Sequence, residues 1–146
     1  DLFRANNIGI VYQQDNLLTD FTALENVYLS NLAVGINKDD AQSKAKYIHK
    51  TVGLSHRLDH FPNELSGGEK KRVQIARDVI IEPKIILADE PTGTLDDLNA
   101  KKVFKLIINL SKKQKATTIT ATHNIELWSY LDICYKIEKG KLIEYK

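Results

Sequence analysis

Two adjacent acids, Asp89 and Glu90, close the apolar run Ile85-Ile86-Leu87-Ala88. A buried strand of this kind delivers its carboxylates at the C-terminal end. In an open α/β sheet, that is where ligands collect. An Asp so placed is a natural water-mediated ligand of Mg²⁺ in nucleotide hydrolases, and the neighbouring Glu90 can polarise an attacking water. Two more strand-like runs end in functional groups: Ile8–Tyr12 leads to Gln13, and Thr117–Ala121 leads to His123. His123 can hold a developing phosphoryl charge or orient the water. Taken singly, each has a plainer reading: Asp89 as a helix cap, Glu90 as a surface acid, His123 as a structural or exposed histidine. All three strand ends carrying such groups is the informative coincidence.

A second stretch, Leu65-Ser66-Gly67-Gly68-Glu69, suits phosphate. Ser66 and Glu69 form a capping box that starts a helix, and two glycines leave its first turn open to close approach. The unpaired N–H groups and positive dipole end of a helix start favour an anion. Alone, the stretch reads equally well as a capped surface helix.

These groups need elements to hold them. Thr22-Ala23-Leu24-Glu25 is another capping box and predicts a helix through about Leu32, broken by Gly35 and Asn37. Lys38-Asp39-Asp40 opens a helix with Ala41, Ala45, Ile48 and Val52 on one face, stopped by Gly53. The helix after Ser66 puts Val73, Ala76, Val79 and Ile80 inward and ends before Pro83. Leu98 to Leu110 is amphipathic, with Val103, Leu106, Ile107 and Leu110 as its stripe. A helix carrying Leu127, Trp128 and Leu131 is expected after Asn124. The tail, from Ile133–Ile137 through Lys139-Gly140 to Lys141–Tyr145, has hairpin form. Strands alternating with helices imply an α/β fold with a parallel sheet, and residues 22–80 read as a helical lobe inserted into it.

At 146 residues the chain has material for one core. A net charge of +2 gives no electrostatic footprint for nucleic acid, and Lys112-Lys113-Gln114-Lys115 reads as a solvated helix end. One cysteine, Cys134, excludes an internal disulfide and has no metal spacing around it. No apolar run reaches membrane-spanning length, and no signal peptide opens the chain. With Asp1 entering a strand almost at once and no methionine anywhere, the chain is expected to be cut rather than begun.

The order Gln13, Leu65–Glu69, Ile85–Glu90, Leu95-Asp96, His123 resembles the nucleotide-binding domain of ATP-binding-cassette (ABC) proteins, from near residue 5 to the end. The resemblance implies a P-loop NTPase-like core with an inserted helical subdomain. Residues 1–21 would be core strand and Q-loop, 22–80 the helical subdomain ending in the signature helix, and 81–146 core with Walker B, D-loop, H-loop and hairpin. It makes Glu90 the general base and His123 the switch histidine. Asp89 and Gln13 would attend Mg²⁺, and Ser66, Gly67, Gly68 and Glu69 would be the signature. Asp96 would lie in the D-loop at the dimer interface. ATP and Mg²⁺ are the implied ligands. A second ATPase subunit and a transmembrane permease are the implied partners, at the inner face of the cell membrane.

Gln13-Gln14 before Asn16-Leu17-Leu18, Thr22–Val27 and Ala88–Gly93 look like the exporters of the lipoprotein-releasing and macrolide-efflux type. The cell-division cassette and antimicrobial-peptide transporters share this look. Glu69 stands where many members have Gln, Asp78 where a small apolar residue is usual, and Asp97 where Ser is frequent. A phosphate loop G-x-x-x-x-G-K-[ST] needs two glycines five apart, and the seven glycines include no such pair. By the resemblance that loop lies upstream, so the chain corresponds to about the C-terminal two thirds of a family domain, its N-terminal third missing. The 146 residues alone are then expected to show no ATPase activity and to leave an open sheet edge beside Thr117–Ala121. Two rival readings are a non-catalytic fragment that lends its signature helix to a partner's site, and a soluble, non-transport cassette ATPase. Thr92-Gly93-Thr94 and the short helical lobe argue against the latter.

Overall fold

The computed structural model describes residues 2–146. It opens on a short helix that the sequence patterning gave no sign of, α1 (Leu2–Asn7). This turn buries nothing; Leu2 and Phe3 are exposed and the Asn7 side chain donates back to the Phe3 carbonyl. Three parallel strands follow in chain order, β1 (Ile8–Val11), β2 (Ile85–Asp89) and β3 (Thr117–Ala121). They lie side by side as β1-β2-β3, with Val11 opposite Ala88 and Asp89 opposite Ala121. The register therefore brings the three C-terminal ends level. Among the described residues β3 is an edge, with Ile119 58% exposed, the open edge expected from the sequence.

Between β1 and β2 the chain is helical: α2 (Ala23–Ala33), α3 (Lys38–Thr51), two 3-10 turns (Ser55–Arg57 and Pro62–Glu64) and α4 (Gly67–Val79). Both expected capping boxes are formed. Thr22 Oγ1 accepts from Glu25 N while Glu25 Oε2 accepts from Thr22 N, and Ser66 and Glu69 repeat the arrangement at α4. Ala41, Ala45, Ile48 and Val52 are buried, and Gly53 ends that helix at φ +75°. Asn26, buried on α2, accepts from Leu18 N and donates to the carbonyls of Leu18, Phe21 and Thr22, which fixes the loop before the helix.

α5 (Asp97–Gln114) is longer than the expected Leu98–Leu110 at both ends. Asp96 caps its start, and Lys115 at φ 55° ends it. It also has two buried faces. Val103, Ile107 and Leu110 join the main core, whereas Phe104 and Ile108 pack with Leu127 in a second cluster. Leu127 lies on a 3-10 segment (Ile125–Tyr130), not the α-helix expected there. Six residues between an edge strand and a hairpin suit the tighter helix, which is used in short pieces. The hairpin is as expected: β4 (Tyr135–Glu138) and β5 (Lys141–Glu144) turn through Lys139 and Gly140, both at positive φ.

Asp78 near the end of α4 is further inside than its spacing suggests, its side chain only 14% exposed. Burial pushes its carboxyl up to about 7, although Arg77 and Lys71 pull it down. The folded protein therefore holds a proton that the unfolded chain, at the ordinary carboxylate value, has released. Stability should fall as pH rises from about 4 to about 7, by about 1.4 kcal/mol per pH unit for this one group, and stay low above. Asp78→Asn should remove that slope and gain more stability at pH 8 than at pH 4.5. Urea unfolding of both forms at the two pH values checks it, and parallel profiles would mean a hydrated carboxylate.

Candidate active site

The level strand ends bring Glu90 and His123 into contact. Glu90 leaves β2 in the left-handed region, at φ 42°, and its N–H still bonds the Ala121 carbonyl at the end of β3. Holding a non-glycine residue there costs energy, and such positions cluster at functional sites. Glu90 Oε1 accepts from both the His123 backbone N–H, at 2.9 Å, and the ring Nδ1, at 2.8 Å. Among the described residues Oε2 has no hydrogen-bond partner. One carboxylate oxygen thus anchors the group and the other is left to engage a ligand or water. With Nδ1 donating to Glu90, Nε2 is an acceptor in the neutral ring and a second donor in the imidazolium.

Gln13 reaches the same place from β1. Its side chain lies against Gly93, so close that a Cβ on Gly93 would stand 2.9 Å from Gln13 Nε2. The Gly93 N–H bonds the Glu90 carbonyl, so Gln13, Glu90, Gly93 and His123 form one group. Asp89 is exposed at the end of β2. Among the described residues no three His, Cys, Asp or Glu side chains converge as a metal cluster. Asp89 and Gln13 supply hard oxygen donors, which fits Mg²⁺, an ion usually held by one or two carboxylates together with phosphate oxygens.

Ser66, Gly67, Gly68 and Glu69 form a second group with Asp96. A Cβ on Gly67 would touch Leu95, and one on Gly68 would touch Asn99. Asp96 caps α5 by accepting from Asn99 N and Nδ2, which holds its carboxyl below the usual range. Glu69 is committed inside the protein. Oε2 accepts from Ser66 N and Oε1 from Arg57 Nε, and these bonds keep the carboxyl low. What the turn still offers a ligand is the open first-turn backbone at Gly67 and Gly68. The two groups share no hydrogen bond; the loop Pro91–Leu95 joins them.

Sequence reasoning missed four supporting side chains: Asn26, Arg57, Lys71 and Arg77. Lys71 had a legible signal. Lys71, Gln74 and Asp78 recur at helical spacing around Ile75, a polar strip on a buried face.

The family model described as ABC transporter matches residues 2–93. The chain is 48% identical over 141 residues to the lipoprotein-releasing system ATP-binding protein LolD of Rickettsia bellii (strain RML369-C), an alignment covering 97% of this chain and 64% of that protein. It is 46% identical over 142 residues to the LolD protein of Treponema denticola, covering 97% and 63%. The chain thus spans somewhat less than two thirds of the length of these relatives. Among solved structures, a dimeric ATP-binding cassette in a post-hydrolysis state, bound to ADP and Pi, superposes with a TM-score of 0.85. That pair is 33% identical, and the match covers 99% of this chain and 65% of that one.

Proposed function

The chain belongs to the ABC transporter family, and from that membership we propose that it is the ATP-hydrolysing part of an ABC transporter that works on lipoproteins or similar exported cargo. The observation that carries the reading is the Glu90–His123 pair at the level ends of β2 and β3, with Gln13 against Gly93 beside it. Each residue has a task there. Glu90 Oε2 orients water for attack on the terminal phosphate and takes its proton. His123 keeps Glu90 in place through its backbone and ring contacts and stands where it can hold charge developing on the departing phosphoryl oxygens. Asp89 and Gln13 would hold Mg²⁺, which would supply positive charge to offset that developing on the phosphates.

Most of these groups are exposed: Gln13, Asp89, His123, Ser66 and Gly67 all face solvent. Water-excluded chemistry therefore needs a cover, and a second cassette subunit is its natural source. In that arrangement Ser66, Gly67 and Gly68 serve the nucleotide of the opposite subunit, and Asp96 lies at the seam between the two. Residues 22–80 form the lobe that meets a transmembrane permease, with 1–21 and 81–146 as the core. No helix among the described residues is long and apolar enough to cross a membrane. The subunit would act peripherally, at the cytoplasmic face.

The reading is tested on the native protein extracted from membranes in mild detergent. An integral membrane protein should co-purify, and the complex should hydrolyse ATP only with Mg²⁺ present. Recovery without a membrane partner, or a complex without ATPase activity, would remove the transport assignment.

A further inference from the structure

Lys71 sits in the run Lys70-Lys71-Arg72, yet it is 1% exposed. Its Nζ donates to the carbonyls of Tyr12 and Gln13, both at 2.7 Å, and to Gln74 Oε1 at 2.8 Å. An ammonium has three N–H groups, and here it has three acceptors. Leaving a buried ammonium unpaired is costly, and burial does push this one down to about 8 against the pull of Asp15 and Asp78. The three short bonds offset that cost. One turn and a half further along α4, Arg77 Nη1 donates to the Asn16 carbonyl at 3.0 Å. One helix therefore grips the segment after β1 by its backbone.

The location of that grip matters more than its strength. Gln13 has its carbonyl held by Lys71 while its side chain lies against Gly93, beside Glu90. One turn before Lys71, α4 begins at the Ser66–Gly68 turn, against Leu95 and Asn99. α4 is one continuous helix of 13 residues, so its first turn and the Lys71 grip on the Gln13 carbonyl share one hydrogen-bonded backbone.

We propose that Lys71 is a positioning residue. Through the Gln13 carbonyl it ties the placement of Gln13 in the strand-end site to the position of the Ser66–Gly68 turn. It touches neither nucleotide nor metal. An apolar side chain would fill the same space and spare the buried charge, but it would strand the Tyr12 and Gln13 carbonyls and cut the link. The inference rests on the ATPase reading for its consequence, and on the three hydrogen bonds alone for the mechanical tie.

The test uses the native protein with Lys71→Met, Gln13→Ala and the double variant. Lys71→Met should lower kcat about 10- to 100-fold, as small misplacements of catalytic groups do, with KM for ATP little changed. The double variant should be no worse than the weaker single, because both act through one group. Hydrogen exchange read on residues 12–18 should rise in Lys71→Met while residues 103–110 stay as protected as before. Should Lys71→Met not fold, Lys71→Gln, which keeps two donors, takes its place. Additive losses, an unchanged kcat, or unchanged exchange at 12–18 would each overturn the proposal. If the wild-type protein hydrolyses no ATP, the ATPase reading falls, and the exchange measurement still decides whether Lys71 holds the segment.

Discussion

Replacing Glu90 with Gln should lower ATP hydrolysis by the native protein about 10²–10⁴-fold, the range expected for a lost general base, while ATP-dependent dimers still form. The geometry explains why the substitution is selective. Oε1 of Glu90 accepts both His123 N–H groups, and a glutamine oxygen can accept the same two bonds. The strand ends and the turn through Gly93 therefore keep their shape. What changes is the other atom: an oxygen that can accept a proton becomes an NH₂ that can only donate. Binding and closure depend on shape and charge around the phosphates, and chemistry depends on the proton. Turnover by phosphate release and dimer formation by light scattering, with and without ATP, separate the two. Hydrolysis at the wild-type rate would take the base role away from Glu90.

The parts of this protein legible in its sequence are those governed by local rules. Thr22 and Ser66 begin helices because a hydroxyl and a glutamate three residues apart satisfy first-turn amides, whatever surrounds them. The Ala41–Val52 face and the run ending at Asp89 follow from periodicity. Family resemblance then named Glu90 and His123, and the level register of β2 and β3 puts the two in contact. Tertiary placement was not legible to the same degree. Lys71 looks solvated beside Lys70; its spacing with Gln74 and Asp78 marks one polar strip, and the passage of Tyr12 and Gln13 against Lys71 turns that position inward. Asp78 lies where α4 meets β1, its carbonyl oxygen close against Gly9. The second face of α5 is not legible because Phe104 and Ile108 gain their partner, Leu127, from a 3-10 segment that packs on α5 only through tertiary placement.

The contact between α4 and β1 sets the second large effect. Gly9 is buried in β1, where a Cβ would stand 2.5 Å from the Asp78 carbonyl oxygen and 3.1 Å from Pro83 Cγ. The first of these is backbone near the end of a packed helix, so it cannot swing aside as a flexible side-chain tip would. Gly9→Ala has favourable terms as well, because alanine restricts the unfolded chain and suits a strand better, together worth about 0.5–1 kcal/mol. Overpacking a rigid site costs typically about 1–3 kcal/mol and sometimes more, so repulsion wins. The strain is relieved only if β1 and α4 separate. That separation pulls on the Lys71 bonds to Tyr12 and Gln13, three and four residues along the chain from Gly9 and just past the strand end. Gly9→Ala should therefore lower the melting temperature of the native protein by several degrees and reduce its hydrolysis in the same stroke. Gly93→Ala is the contrast, since the atom its Cβ meets is the far end of the Gln13 side chain, which can move. It should disturb hydrolysis with little effect on melting. A Gly9→Ala protein that melts at or above the wild-type temperature would show that β1 and α4 do not approach this closely.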